Sequence, residues 1–242
     1  MVLTAMEMLR ANLEGITMLL SRPALAAGPR GDGHGVLVLP GFATDDSSST
    51  FLRSFLADIG YAAFPWGLGM NLDHRTAGME GENVARQIQR VVELTGRKVS
   101  LVGWSLGGVI AREAARRNPQ AVRQVITIAS PFGGNPRANH ARLAYEWLSG
   151  NKVDSPRAIR RFALGAKPLS VPSTSIYSRT DGITAWENCL AEPDHQTENV
   201  EVHGSHFGMM MNTVVFRIVA DRLAQPEGSW APFMREVQKA SS

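Results

Sequence analysis

Short apolar runs alternate along the chain with longer stretches in which apolar residues recur every three or four positions. A short continuous apolar run is typical of a strand that is buried on both faces of a parallel sheet. A longer stretch with a period near 3.6 is typical of an amphipathic helix. Because the two patterns alternate, we predict an α/β fold with a mostly parallel sheet of about six strands flanked by helices. The predicted strands are residues 36–39, 61–64, 98–102, 124–129, 173–177 and 200–203.

The periodic stretches predict a helix at the start of the chain and further helices at residues 49–59, 76–95, 106–118 and 209–223. The apolar part of the first stretch faintly resembles a secretion signal. Glu7 and Glu14 precede that part, however, and Arg22-Pro23 interrupts it. An amphipathic helix that packs on the body is therefore favoured, and we expect a cytoplasmic protein, with secretion as the alternative.

One interval between consecutive predicted strands is longer than the rest. About forty residues separate the strand predicted to end near residue 129 from the one that starts near residue 173, and residues 138–148 and 156–164 have helical patterns. A segment this long above the carboxyl edge of the sheet indicates a small helical lid over residues 133–170. An ordinary long crossover is the alternative. We take residues 1–242 as a single domain with this insertion.

Composition narrows the classes of protein to consider. The chain has 242 residues, 44% of them hydrophobic, and a formal net charge of only +3. That charge does not support nucleic-acid binding. Cys189 is the only cysteine, so no disulfide can form within the chain, and no Cys/His spacing resembles a zinc site. No apolar run approaches the roughly 18 residues of a membrane-spanning helix, so we expect no membrane span, while the oligomeric state stays open.

The sequence around Ser105 carries the strongest chemical signal. An apolar run leads into Gly103-Trp104-Ser105-Leu106-Gly107, and a stretch compatible with a helix follows. A Gly-x-Ser-x-Gly pattern in this context is typical of a tight turn that holds a nucleophilic serine clear of the sheet in strained backbone angles. The positive end of the helix points at that serine, where negative charge develops during acyl transfer. We therefore predict that Ser105 is a nucleophile.

A serine hydroxyl needs a base within hydrogen-bond distance and an acid that orients the base. Among the six histidines, His206 follows the last predicted strand, at the carboxyl edge of the sheet where a base belongs. His203, within that strand, is the alternative. Asp181 lies in a Gly-containing turn just past the preceding strand and is the favoured acid. Glu187 and Asp194 remain weaker candidates for the acid.

Two backbone N–H groups must hold the oxygen that becomes negative during acyl transfer. One is expected from Leu106, the residue after the predicted nucleophile. The other is expected from Phe42, in the loop Pro40-Gly41-Phe42 that follows the first buried strand. Gly41 lets the chain turn beneath the site. The sequence therefore predicts an oxyanion hole formed by Phe42 and Leu106.

Together these segments resemble the α/β-hydrolase family, and within it the small bacterial lipases and esterases. The matching segments, in the family's order, are 36–42, 103–108, 177–183 and 204–208. The resemblance implies the α/β-hydrolase fold and no cofactor or metal. The first two strands of the full family sheet are not evident. The roles it implies are nucleophile for Ser105, acid for Asp181, base for His206, and oxyanion donors for Phe42 and Leu106.

The sequence favours a serine hydrolase that cleaves carboxylic esters through an acyl-enzyme, an esterase or lipase acting on a small-molecule ester or lipid. A thioesterase or acyltransferase with the same three residues is the alternative, because the acceptor depends on the shape of the pocket. A non-catalytic binding protein with a hydrolase fold is less favoured. The loop 67–72 has no assigned chemistry, and for Met209, Met210 and Met211 core packing is favoured over the wall of an acyl pocket.

Overall fold

A computed structural model describes residues 2–26, 28–135, 146, 150, 152 and 154–233. The strands are β1 (Gly35–Leu39), β2 (Ala62–Pro65), β3 (Val99–Trp104), β4 (Val122–Ile128), β5 (Ser173–Tyr177) and β6 (Thr197–Glu201). They form one parallel sheet in the order β2-β1-β3-β4-β5-β6. Because all six strands run in the same direction, their carboxyl ends share one edge of the sheet, where sites in such folds form.

Helices cover both faces of this sheet. They are α1 (Val2–Ala26), α2 (Thr50–Asp58), α3 (His74–Ala77), α4 (Glu82–Thr95), α5 (Leu106–Arg117), α6 (Pro156–Gly165) and α7 (Thr213–Ala224). Helices α1, α2 and α7 pack on one face, and α4 and α5 pack on the other. In β1, Val36 and Val38 point to the first face and Leu37 and Leu39 to the second, because successive side chains of a strand alternate. The α/β fold with a sheet of six strands, predicted from the apolar runs, is confirmed.

The last strand differs from its prediction by three residues at its start. The predicted strand 200–203 is observed as β6, Thr197–Glu201, paired with β5. β6 lies at the edge of the sheet, where Glu198 and Asn199 stay partly exposed. Its first residues are therefore polar, and the apolar signal begins only at Val200.

The predicted helix 76–95 is divided into α3 and α4. Gly78 and Gly81 separate them with φ angles of 95° and 77°, which a right-handed helix does not allow. The predicted helix 209–223 likewise begins later, at Thr213, where the Asn212 side chain caps α7 by accepting from the Val214 N–H at 2.9 Å.

The segment before α7 is a 3₁₀ turn, Gly208–Met211. Met209 and Met210 are buried in the hydrophobic core on the face covered by α1 and α7. Their environment matches the core packing that the sequence favoured for them.

Helix α1 lies on the body as expected, but its apolar residues are divided between two sides. Ala11, Met18 and Leu25 are buried against the body, whereas Leu9, Leu13 and other apolar side chains are exposed. Among the residues that the structure describes, no helix combines the length and the hydropathy that crossing a membrane requires.

Of the predicted lid, helix α6 corresponds to the predicted helix 156–164. Arg161 ties this helix to the body, since its guanidinium donates to both carboxylate oxygens of Asp73, at 2.8 and 2.9 Å, and to Glu113 at 2.8 Å. The predicted helix 138–148 lies outside the described residues. A lid over residues 133–170 and a single domain over the whole chain therefore stay predictions.

Candidate active site

Ser105 occupies the tight turn between β3 and α5. Its backbone has φ 53° and ψ −123°, an unfavourable conformation for a residue with a side chain. A Cβ atom on Gly103 would lie 2.4 Å from the Cα of Gly108, and one on Gly107 would lie 2.3 Å from the carbonyl oxygen of Leu39. Only glycine fits where the strand and the helix approach this closely, so these positions make the turn possible.

Three side chains predicted from the sequence come together at the carboxyl edge of the sheet. The Oγ atom of Ser105 lies 3.1 Å from Nε2 of His206. The Nδ1 atom of His206 lies 2.7 Å from Oδ2 of Asp181. The side chains of His206 and Asp181 are almost completely buried. The arrangement is a continuous path of hydrogen bonds from a hydroxyl through an imidazole to a carboxylate.

The surroundings of Asp181 favour its charged form. Burial alone would raise the pKa of Asp181. The charge of His206 and its hydrogen bond, together with the N–H groups of Thr184 and Ile183 at 2.8 Å each, outweigh burial and lower the pKa below its usual value. An ionised carboxylate accepts the proton on Nδ1 of His206, which leaves Nε2 facing Ser105 as a proton acceptor.

The alternative residues from the sequence lie elsewhere. The side chain of His203 is exposed to solvent, and so is that of Glu187. Asp194 accepts a hydrogen bond from the Gln196 N–H at 2.9 Å and lies 3.9 Å from the exposed His195. The structure thus brings Asp181, among the three acid candidates, to the imidazole of His206.

The loop that follows β1 passes directly beside Ser105. A Cβ atom on Gly41 would lie 2.7 Å from the Trp104 ring and 3.3 Å from the Cβ of Ser105. Phe42 is the next residue, and Ala43 has a φ of 55°. Leu106 begins α5 directly after Ser105, and the first N–H groups of a helix have no acceptor within the helix. Both predicted oxyanion donors therefore belong to segments that border the Ser105 side chain.

Two supporting residues near the site were not identified from the sequence. Asn71, fully buried, donates from Nδ2 to the carbonyl of Pro40 at 2.7 Å and holds the loop that carries Phe42. Trp104 donates from Nε1 to the carbonyl of His206 at 3.1 Å. Asn71 lies in the loop 67–72, to which the sequence assigned no chemistry, and the signal available there was a polar residue in a glycine-containing loop after the second strand.

Helix α1 also contributes to this edge of the sheet through Glu7 and Glu14, which accept from backbone N–H groups beside Asp181 and His206. Their spacing of seven positions places both on one side of the helix, but the sequence does not tell whether that side faces the body. No group of three His, Cys, Asp or Glu side chains suited to holding a metal occurs in the described part of the chain.

A parallel sheet with a serine on a strained turn between strand and helix defines the class of protein. Residues 33–237 match the sequence profile of the alpha/beta hydrolase family. The chain therefore belongs to the α/β hydrolase family.

Curated relatives with similar sequences include esterases. The chain is 30% identical over 111 residues to a pimeloyl-(acyl-carrier protein) methyl ester esterase of Shewanella sp. (strain MR-7), covering 45% of this chain and 39% of the relative. It is 39% identical over 92 residues to the protein of the same name from Edwardsiella ictaluri, covering 36% of each. The matched stretch thus spans about two fifths or less of these relatives.

Solved structures with a similar fold include lipases. Aspergillus fumigatus lipase B superposes with a TM-score of 0.60 at 20% identity, over 84% of this chain and 56% of that one. Paleococcus ferrophilus monoacylglycerol lipase gives a TM-score of 0.55 at 15% identity, over 81% of this chain and 96% of that one. The thioesterase domain from the curacin biosynthetic pathway gives 0.52 at 17% identity, over 82% and 93%. At these identities the likeness concerns the fold alone.

Proposed function

We propose that this protein is a serine hydrolase that cleaves carboxylic esters, with Ser105 as nucleophile, His206 as general base and Asp181 as the residue that orients the base. The observation that carries the proposal is the pair of distances, 3.1 Å from Ser105 Oγ to His206 Nε2 and 2.7 Å from His206 Nδ1 to Asp181 Oδ2. Both lie within the range in which a proton passes between the groups.

In the first half of the reaction, Oγ of Ser105 forms a bond to the ester carbonyl carbon, and its proton moves to Nε2 of His206. The carbonyl π electrons move to the oxygen, which becomes negative. When the carbonyl re-forms, the bond to the alkoxy group breaks, and the alcohol leaves with the proton from His206. The acyl group is then bound to Ser105 as an ester.

In the second half, water replaces the alcohol. His206 takes one proton from water as its oxygen bonds to the acyl carbon, and it returns that proton to Oγ of Ser105 as the acid leaves. Asp181 stays ionised throughout and stabilises the imidazolium, in keeping with its lowered pKa. The N–H groups of Phe42 and Leu106 would hold the negative oxygen in both halves, and one such donor is worth about 10²- to 10³-fold in rate.

The names of the curated relatives support an ester as substrate, since they describe hydrolysis of a methyl ester on a carrier-bound acyl chain. A thioester hydrolase or an acyltransferase would use the same three residues and differs only in the leaving group or the acceptor.

The test is hydrolysis of p-nitrophenyl esters from acetate to palmitate, run beside Ser105→Ala and, as a control, Ser47→Ala at an exposed position. We expect Ser105→Ala to lower kcat by at least about 10³-fold and Ser47→Ala to leave it unchanged. A fluorophosphonate should label the peptide that contains Ser105 in wild type and in Ser47→Ala only. Activity on acyl thioesters but on no ester would favour the thioesterase, and full activity of Ser105→Ala would overturn the proposal.

A further inference from the structure

Two carboxylates of α1 point inward, to the two loops that carry Asp181 and His206. Glu7 and Glu14 are two helical turns apart and therefore lie on the same side of the helix. Glu7 is only 2% exposed. The helix thus directs its acidic side chains towards the body while it exposes apolar ones, which is the reverse of an ordinary surface helix.

The partners of these carboxylates are backbone N–H groups next to the proposed acid and base. Oε1 of Glu7 accepts from Gly182 at 2.8 Å, directly after Asp181, and its Oε2 accepts from Phe207 at 3.4 Å, directly after His206. Oε1 of Glu14 accepts from Ser205 at 2.8 Å, directly before His206. The Glu7 carboxylate thus joins the loop that carries Asp181, here called the acid loop, to the loop that carries His206, here called the base loop. The Glu14 carboxylate binds the base loop on the other side of His206 in the sequence.

Both loops have glycine where the helix approaches. A Cβ atom on Gly182 would lie 2.7 Å from the backbone of Leu3, and one on Gly208 would lie 2.3 Å from Oε2 of Glu14. Two neighbouring hydrogen bonds seat the same helix, from Thr4 Oγ1 to the carbonyl of Gly182 and from Arg10 to the carbonyl of Thr180, each at 2.6 Å. The contact is therefore specific and close along both loops.

We propose that Glu7 and Glu14 are positioning residues that fix the distance and orientation of Asp181 and His206, a proposal that rests on the hydrolase function above. An ionised carboxylate has two oxygens that accept without donating, so Glu7 can hold one N–H of each loop at once. An amide at this position has one accepting oxygen, and its NH₂ group would face a backbone donor. The two loops would then lose their common anchor.

The test compares Glu7→Gln and Glu14→Gln with Glu93→Gln, a control at an exposed position on α4. We expect Glu7→Gln to lower kcat about 10- to 100-fold, since misplacement by about 1 Å has effects of that size, with KM changed less than about threefold. Glu14→Gln should act in the same direction and Glu93→Gln should have no effect. A second readout is the far-downfield proton resonance of the hydrogen bond between His206 Nδ1 and Asp181. This resonance should shift or broaden in Glu7→Gln and Glu14→Gln, here called the inner variants, and stay unchanged in Glu93→Gln.

The resonance does not depend on any substrate, so it separates the two proposals. An unchanged resonance and kcat in both inner variants, beside an inactive Ser105→Ala, would overturn the positioning role and leave the hydrolase intact. An active Ser105→Ala would instead overturn the hydrolase. If Glu7→Gln fails to fold by circular dichroism, Glu14→Gln decides the question, because it affects the base loop only.

The opposite side of α1 has an independent feature. Met6, Leu9, Leu13, Ile16 and Leu20, here called the outer seam, are between 42% and 80% exposed. They follow one another at spacings of four and three residues, the pattern with which one helix packs along another in a coiled coil. The outer seam therefore has the form of a helix–helix interface.

The distribution of charge on α1 and the length of the outer seam indicate what covers the seam. Three charged residues of the helix, Glu7, Arg10 and Glu14, bond to the body instead of lining this side. The five side chains of the seam form one apolar stripe along about 21 Å of the helix, the rise of fourteen residues at 1.5 Å each, and contiguous exposed apolar surface of this kind marks an interaction site. We infer that a second copy of this chain packs seam to seam about a two-fold axis, because the pattern is complementary to itself.

Sedimentation of the whole chain tests this inference, with Leu9→Gln/Leu13→Gln as the seam variant and Leu94→Gln, an exposed leucine on α4, as the control. We expect wild type and control at a mass near twice 26.3 kDa, and the seam variant to dissociate at least about tenfold more readily. A wild-type monomer at every concentration would overturn the inference. Binding of that monomer to phosphatidylcholine vesicles, lost in the seam variant, would replace the second copy with a lipid surface.

Discussion

Asn71 holds the loop after β1 with the amide nitrogen of its side chain and both polar groups of its backbone, while its side-chain oxygen orders its own loop. Its Nδ2 donates to the carbonyl of Pro40 at 2.7 Å, and its Oδ1 accepts from the Asp73 N–H at 3.0 Å. Its backbone exchanges hydrogen bonds with Ala43 and Thr44, each at 2.8 Å. The position of the Phe42 N–H, the proposed oxyanion donor, is thus fixed by one residue about thirty positions away in the sequence.

We expect Asn71→Asp to lower kcat by about 10- to 100-fold, with a smaller change in KM. The substitution keeps the size of the side chain and the acceptor for Asp73, but it places a second oxygen against the carbonyl of Pro40. The loop must then shift, and a displaced oxyanion donor costs up to the 10²- to 10³-fold that the donor provides. Steady-state kinetics on the ester with the highest activity measure the effect.

The control is Asn118→Asp, which makes the same chemical change at a distance from the site. Asn118 also donates from Nδ2 to a backbone carbonyl, that of Ala114 at 3.0 Å, but at the end of α5. Equal losses of kcat in the two variants would mean that the Asn71 effect reflects general stability and not the position of the loop.

Five of the six strands were predicted within two residues of their observed bounds. β1 and β3 are buried along their whole length and were marked by mostly apolar runs, whereas β5 is equally buried but consists of small and β-branched residues, Ser173 to Ile176, before Tyr177. β6 lies at the sheet edge, where Glu198 and Asn199 stay partly exposed, and its first three residues were not predicted as strand. The break between α3 and α4 depends on the positive φ angles at Gly78 and Gly81, which helical periodicity does not register.

The residues of the candidate site also divide into those that the sequence could identify and those that it could not. Ser105, Asp181 and His206 could be named because each follows a predicted strand, and the carboxyl ends of parallel strands meet at one edge. Glu7 and Glu14 could not be named, because hydropathy tells which residues of a helix are apolar but not which side packs on the body. Their partners lie about 175 to 200 positions away, and only the folded chain brings them together.

At the scale of the whole molecule, the edge of the sheet opposite the candidate site contains a polar cluster around the buried His34. His34, fully buried just before β1, contacts Ser100 in β3 through Nε2 at 2.8 Å and Asp32 through Nδ1. Arg123 in β4 donates to Asp32 at 2.8 Å and to the carbonyl of Gln225 after α7 at 2.6 Å. The cluster therefore joins three strands and a helix, and its protonation affects the stability of the fold more than the chemistry of the site.

Burial, followed by the positive charges of Arg123 and Arg97, lowers the pKa of His34 below its ordinary value of 6.5, although Asp32 acts in the opposite sense. Below about pH 6.5 the unfolded chain takes up a proton on this histidine while the folded chain does not. Stability from the neutral His34 is therefore present above that pH and is lost as the pH falls towards the lowered pKa. The loss is at most about 1.4 kcal/mol per pH unit for one group.

We expect the urea midpoint of wild type to fall between pH 7 and pH 5, and the fall to be smaller in His34→Gln, which removes the titrating ring. His195→Gln is the control, because His195 is 84% exposed at its side chain and its substitution should leave the slope unchanged. Ester hydrolysis at pH 7 should be nearly equal in wild type and His34→Gln, since the cluster lies at the far edge of the sheet. An identical slope in wild type and His34→Gln would show that the buried histidine does not set acid stability, and that other groups with lowered pKa, Asp32 and Asp181 among them, account for any loss at lower pH.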